Sequence, residues 1–220
     1  MRRAFRAELD TLVSELAGIT RYAGQVMTHA SNALQQADVK FAELALSSGD
    51  EIRVLCEQVH QRCLKLLALQ APVATDLRTV LTAMRALPDL ERMGHLAGHI
   101  AKITRLNHPE VPIPGEIRPI FARMSTLAIT LAHDAAAAIE TRDRFSGERL
   151  ARVDEEIDAL RRRIFRILFS PDWPHGVKPA VNAALIGRYY ERFADHAVAI
   201  AHQISFLIAG RSPTRTKTEN

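Results

Sequence analysis

Apolar side chains recur at steps of three and four residues along most of the chain, the spacing of one face of an α-helix. The alternating pattern typical of β-strands is not apparent. Turn signals break the helical pattern near Asp38, at 70–72, in the proline-rich stretch 107–119, near Asp143 and at 170–176. The pattern therefore predicts an all-α protein with six helices.

The second half of the chain repeats the first. The run DEEI at 154–157 mirrors GDEI at 49–52, and the two runs fall at equivalent places in successive sets of three helices. Each set can bury its apolar stripes by packing on itself, which predicts two tandem, repeat-related antiparallel three-helix bundles. The predicted bounds are 1–108 for the first bundle, 109–119 for a stiff proline-rich linker, 120–210 for the second bundle and 211–220 for a disordered tail.

Some residues complicate the helix prediction. Gly49 falls inside the second helical pattern and weakens the expectation that this helix is continuous. Pro88 falls inside the third, where a proline removes a hydrogen bond, and it predicts a kink one turn before Glu91. Thr75 or Asp76 is expected to cap the start of that third helix.

Composition narrows the class of protein. The chain has 220 residues, 47% of them apolar and 25% charged, as in ordinary globular proteins. It contains no apolar run long enough to cross a bilayer and no secretory signal, which predicts a cytoplasmic location. The net charge is +4, but no dense basic tract stands out, which argues against nucleic-acid binding. Attraction to an anionic membrane surface or an acidic partner stays open.

Two four-residue spacings suggest metal chemistry. Glu91 and His95 lie on one face of the third helix, and Glu191 and Asp195 lie on one face of the sixth. Carboxylate oxygens bind hard cations, while iron, manganese and zinc also accept imidazole. One such pair is common on solvated helices, but two pairs at equivalent repeat positions favour a pair of metal sites.

Four blocks of sequence resemble the PhoU family of phosphate-signalling regulators: PVATDLR at 72–78, DLERMG at 89–94, DEEID at 154–158 and RYYERFADHA at 188–197. The resemblance extends to about residue 210 and implies a pair of three-helix bundles. It also implies metal binding through Glu/Asp-x-x-x-Asp motifs on the third helix of each bundle. Glu191 and Asp195 match that motif, whereas His95 stands where the family usually has Asp.

Because His95 replaces the usual Asp, the sequence does not decide whether the first site binds a metal. With His99 one turn further on, imidazole would favour zinc, iron or manganese over magnesium, or this site has lost its metal. Asp89 and His99 are further candidate metal ligands. Arg92 and Arg192, each following a motif glutamate, are candidates to hold the carboxylates or to contact an anion; salt bridges to neighbouring helices are the simpler explanation. His196 is read as an ordinary surface residue.

The resemblance implies a non-catalytic cytoplasmic adaptor, peripheral to the membrane, that contacts the ATPase subunit of the phosphate ABC transporter and a sensor histidine kinase. In that role it represses the phosphate-starvation response, and a homodimer is expected. One alternative is a metal-dependent helical-bundle enzyme, although di-iron enzymes use Glu-x-x-His pairs inside a four-helix core, unlike the four-residue spacing here. Another is an accessory regulator of a different phosphate transporter.

Overall fold

The computed structural model describes residues 2–209 of the chain, and within that range it is all-α. The prediction of six α-helices is confirmed. Their bounds are Arg2–Gln36 (α1), Val39–Gln70 (α2), Ala74–Asn107 (α3), Arg118–Thr141 (α4), Ser146–Leu168 (α5) and Val177–Ala209 (α6). The predicted helix stop at Gly210 and the predicted disordered tail lie outside the described residues.

Gly49 and Pro88 both lie inside continuous helices, and the kink expected at Pro88 stays a prediction. Helix α2 continues through Gly49, which is buried, and α3 continues through Pro88. The expected cap at Thr75 or Asp76 is wrong, because Val73 occupies the N-cap position of α3 and forms no side-chain cap hydrogen bond. Asp76 lies instead in the first turn, where a negative charge interacts favourably with the helix dipole.

The proline-rich segment between the bundles packs on the protein. Gly115–Ile117 forms a single 3-10 turn that leads directly into α4. Pro119 lies in the first turn of α4, where a missing N–H leaves no hydrogen bond unmade. Ile113 and Ile117 are buried in the core. The connection is therefore held by apolar contacts as well as by proline stiffness.

The two bundles, α1–α3 and α4–α6, pack side by side through α1 against α4 and α3 against α6. One contiguous apolar core runs through both. Tyr190 of α6 is fully buried, and its hydroxyl lies 2.8 Å from that of Ser31 on α1. Because a buried polar contact crosses the boundary between the bundles, their mutual position is fixed by shared packing.

Helices α3 and α6 run in opposite directions along their contact. The end of α3 meets the start of α6, where Asn182 donates to Asn107 at 3.4 Å. Nearer the start of α3, Asp89 meets His196 much further along α6. The turn between α2 and α3 and the turn between α5 and α6 therefore lie at opposite ends of the molecule.

Candidate metal centre

Four carboxylates meet between α5 and α6 and form what we call the acidic cluster: Asp154, Asp158, Glu191 and Asp195. Asp154 and Asp158 are four residues apart on α5, as Glu191 and Asp195 are on α6. Partial burial raises the pKa of Asp154 to about 7, and repulsion from the other three carboxylates adds to the shift. Asp195 lies at the exposed edge, yet its pKa is also raised, first by partial loss of hydration and then by Glu191 and Asp158.

The acidic cluster contains a carboxylate oxygen with no partner. The Oδ1 atom of Asp154 is shielded from solvent and accepts no hydrogen bond. A buried acceptor left unpaired is unfavourable, and so is the repulsion among neighbouring carboxylates. A bound cation would remove both penalties, and an all-oxygen donor set suits a hard cation. In donor chemistry, the second bundle therefore suits a hard cation.

Arginines neutralise part of this charge. Glu191, only 8% exposed, receives hydrogen bonds from Arg188 to both carboxylate oxygens, and Arg161 lies 3.7 Å from it. Among the described residues, no three His, Cys, Asp or Glu side chains are arranged to hold one ion. Binding a metal would therefore require these side chains to adjust and Arg188 to release Glu191.

The first bundle does not repeat this arrangement. Glu91 is half-buried and His95 is exposed on the same helix. Through the repeat of GDEI and DEEI, the counterparts of Asp154 and Asp158 are Gly49 and Arg53. A Cβ added to Gly49 would lie 3.2 Å from the carbonyl oxygen of Gly94, so α2 and α3 approach closely at this point. The first bundle thus has a backbone contact and an arginine where the second has two carboxylates.

Asp89 and His99, the additional ligand candidates, both face α6. Asp89 pairs with His196 at 2.9 Å and accepts a hydrogen bond of 2.8 Å from Gln203. The interpretation of His196 as a surface residue is therefore wrong, because it is half-buried between the bundles. His99 stacks on Tyr189 with 5.1 Å between ring centroids, and burial followed by nearby cations lowers its pKa.

Arg92 and Arg192 form no ion pair within the described part of the chain. Arg92 is exposed, and its charge contributes to lowering the pKa of His99. The Nε atom of Arg192 is shielded and has no hydrogen-bond partner. Arg188 and Arg161 instead hold the motif carboxylate Glu191.

Sequence reasoning missed four residues of this centre: Asp154, Asp158, Arg161 and Arg188. A signal for the two aspartates was present, because they show the same four-residue spacing as the motif on α6 and lie in a block that carries the family resemblance. Arg188 is also one turn from Glu191 in the sequence, a spacing that brings side chains together on a helix. Only the packing of α5 on α6 shows that the two motifs face each other.

Comparison with known proteins agrees with this architecture. The family model described as "PhoU domain" matches twice, over residues 16–104 and 121–204. The chain is 38% identical over 213 residues to the phosphate-specific transport system accessory protein PhoU homolog 2 of Mycobacterium tuberculosis, covering 97% of this chain and 100% of the relative. It is 35% identical over 181 residues to a PhoU homolog of Synechocystis, covering 80% of this chain and 76% of that one.

Solved structures show the same fold. The phosphate transport system regulatory protein PhoU from Streptococcus pneumoniae superimposes with a TM-score of 0.85 at 26% identity, over 95% of this chain and 99% of that one. PhoU from Pseudomonas aeruginosa gives 0.84 at 23% identity, covering 94% and 100%, a likeness of fold. A duplicated three-helix bundle of this kind defines a class of regulatory accessory proteins. The chain belongs to the PhoU family, as its sequence motifs predict.

A helix that spans a membrane must be both long and predominantly apolar. Among the helices described over residues 2–209, none is both long enough and apolar enough to pass through a lipid bilayer.

Proposed function

We propose that this chain is a non-catalytic accessory protein of phosphate uptake and phosphate-starvation signalling. It acts in the cytoplasm as an adaptor between the ATPase subunit of a phosphate ABC transporter and a sensor histidine kinase, and it represses the starvation response when phosphate is plentiful. The observation that carries the proposal is the match of both bundles to one family, whose closely matching members are named accessory proteins of phosphate-specific transport.

The proposal includes one metal centre, in the second bundle. Asp154, Asp158, Glu191 and Asp195 would hold a hard cation such as manganese, iron or magnesium, with zinc a weaker fit to an all-oxygen set. The metal would add positive charge at the acidic cluster between α5 and α6. Arg188 would then be released from Glu191, and its guanidinium would become available to a partner. Metal occupancy could thus change the surface that a partner meets.

The first bundle has a poorer donor set. Glu91 and His95 offer one carboxylate and one imidazole, and the counterpart positions of the other helix hold Gly49 and Arg53. A cationic side chain beside two donors opposes cation binding. The proposal therefore gives the first bundle a packing or partner-contact role.

A strain that lacks this chain tests the regulatory role. It should express a phosphate-starvation reporter even in high phosphate, and the wild-type chain should restore repression. A Glu191→Ala/Asp195→Ala variant that folds normally should restore repression less well. Unchanged reporter expression in the deletion strain would contradict the proposal.

Purified components test the adaptor step and the choice of transporter. The chain should bind the isolated ATPase subunit of the phosphate-specific transporter and the cytoplasmic part of the kinase. Binding to neither would contradict the adaptor role, and binding only to an unrelated phosphate transporter would favour the alternative regulator. Light scattering of the same preparation tests the expected homodimer.

A further inference from the structure

The turn between α5 and α6 exposes large apolar side chains at one end of the molecule. Phe169 and Val177, on either side of this turn, are each 79% exposed, and Val181 is 49% exposed. Together with Phe165 and Trp173 they line an apolar groove of about 390 Å³. We call residues 161–181 the α5–α6 tip. Exposed apolar groups of this size in contact with one another are typical of an interaction site.

The same tip carries the excess positive charge of the chain. Residues 161–180 contain five Lys or Arg and a single Asp, so this segment alone accounts for the net charge of +4. The side chains of Arg162, Arg163, Arg166 and Lys178 are exposed, and no described residue forms an ion pair with them. The remaining positive and negative charges of the chain balance. The tip is therefore a strongly basic end of the molecule.

Trp173 lies between the basic groups of the tip and its apolar groove. Arg163 and Arg166 line a concavity of about 470 Å³ on one side, together with Trp173, Asp172 and Glu116, and the apolar groove lies on the other side of the same indole. Glu116 is paired with His175, which leaves the two arginines without an ion pair. The indole N–H donates to the carbonyl oxygen of Gly176 at 2.8 Å, which holds the ring within the turn. Basic groups around exposed aromatic and aliphatic groups are the composition of protein segments that lie in a membrane interface.

The opposite end of the molecule provides an internal comparison. At the α2–α3 turn, Leu69 and Val73 are 77% and 73% exposed, an apolar exposure similar to that of the α5–α6 tip. The nearby Arg62, however, is bonded to Glu8 and Glu15 at 2.9 Å.

Lys65 and the N-terminal Arg3 and Arg6 are exposed and form no ion pair among the described residues. Residues 59–78 nevertheless contain only three Lys or Arg and one Asp, a net charge of +2 against +4 for residues 161–180. The two ends therefore match in apolar exposure, and the α5–α6 tip is the more basic of the two.

We propose that the α5–α6 tip docks on an anionic lipid surface, with Phe169 and Val177 entering the boundary between headgroups and acyl chains. The arginines would contact lipid phosphates, an attraction that screening by salt weakens. A lipid surface fits better than a single acidic helix because the basic groups surround the projecting turn, coming from α5 on one side and from Lys178 on the other. This inference goes beyond the adaptor role and stands without it.

The single tryptophan of the chain, Trp173, reports directly on docking. Full-length protein is mixed with vesicles of phosphatidylcholine alone or with about one third phosphatidylglycerol, a fraction chosen for a strongly negative surface. With anionic vesicles at low salt, the protein should co-sediment, and its fluorescence should shift to shorter wavelength and be quenched by brominated acyl chains. Neutral vesicles should give little of either response.

Variants separate the apolar contribution to vesicle binding from the electrostatic contribution. Phe169→Ser/Val177→Ser should abolish the quenching, and Arg163→Gln/Arg166→Gln should weaken binding to anionic vesicles roughly 25-fold, at about fivefold per arginine. The matched control, Leu69→Ser/Val73→Ser at the opposite end, should bind like the wild type. Circular dichroism checks that each variant is folded.

The proposal is overturned if the wild type does not bind anionic vesicles at low salt, or if the control variant loses binding as fully as the tip variants. It is also overturned if the tip variants lose only a protein partner, which would make the tip a protein interface. Because the vesicle assay contains neither transporter nor kinase, failure here leaves the adaptor proposal standing, and failure of the adaptor leaves this result unaffected.

Discussion

Asp154 shows how one residue links folding to the metal centre. Its pKa is raised from 3.8 to about 7, chiefly by burial and then by the neighbouring carboxylates. The folded chain therefore keeps the proton more tightly than the unfolded chain does. Since the unfolded chain binds fewer protons between these two values, stability should fall as the pH rises from about 4 to about 7 and should stay low above that range.

Replacing this carboxyl should thus stabilise the metal-free protein. With a chelator at pH 8, we expect Asp154→Asn to increase the free energy of unfolding by about 1–2 kcal/mol, a value reduced to allow for partial exposure. That corresponds to a rise in Tm of roughly 3–6 °C, and the gain should vanish near pH 4. Thermal melts check this, with the exposed Glu155→Gln as control. A lower Tm at pH 8 for Asp154→Asn would show that the charged carboxylate stabilises the fold.

Gly147 is a second position where one added carbon atom should change the stability of the protein. An added Cβ would clash with the imidazole ring of His202, so α5 and α6 meet there through a glycine and an imidazole. We expect Gly147→Ala to cost about 1–3 kcal/mol of stability through overpacking. Gly18→Ala, whose Cβ would meet nothing within 4 Å in α1, should instead add up to about 1 kcal/mol. Denaturant titration measures both, and equal effects would refute the packing argument.

At the scale of residues, the sequence predicted two of the four carboxylates of the acidic cluster. The spacing of Glu191 and Asp195 suffices to place them on one face of one helix. Asp158 and Arg161 belong to another helix, and which of its faces meets α6 depends on the tertiary packing. The pairing of Asp89 with His196 is likewise hidden, because the two residues lie 107 positions apart.

At the scale of elements, the contact between α3 and α6 holds the bundles together through polar groups as well as apolar ones. Asp89 is half-buried and accepts from both His196 and Gln203. We expect Asp89→Ala to destabilise the protein by about 1–3 kcal/mol, because it leaves the half-buried His196 without its partner and removes one acceptor of Gln203. The exposed Arg21–Glu140 pair joins α1 and α4 in the same way at 2.6 Å.

That exposed pair is the control. Glu140→Ala should change stability by less than about 1 kcal/mol, as is usual for surface ion pairs. Urea unfolding of the two variants measures the difference. If Glu140→Ala costs as much as Asp89→Ala, burial would not explain the strength of the α3–α6 contact.

The helices themselves were largely predictable, because apolar periodicity decides both their number and their order. Gly49 was the residue that most weakened the prediction of a continuous α2. Its lack of a side chain weakens a helix in isolation, but here it permits the close approach of α2 to Gly94 on α3. Tertiary packing thus outweighs local propensity at that position. The cap at Val73 was not predictable from side-chain type, since it uses no side-chain hydrogen bond.

At the scale of the whole molecule, a duplicated unit has diverged. The two bundles share a fold and one core, but carboxylates gather only in the second among the described residues, and the basic tip belongs to the second as well. The sequence indicated the duplication and the divergence at His95. It did not indicate that the second bundle combines the acidic cluster and the basic apolar tip on one pair of helices.

We propose that this asymmetry gives the protein one metal centre, between α5 and α6. Elemental mass spectrometry of protein purified without chelator or affinity-tag metal tests it most directly. The wild type should carry metal, Asp154→Asn/Asp195→Asn should lose it while remaining folded, and Glu91→Ala/His95→Ala should retain it. If the wild type stays metal-free after incubation with manganese, iron, zinc and magnesium, or if the first-bundle variant is the one that loses metal, the account of the second bundle is contradicted.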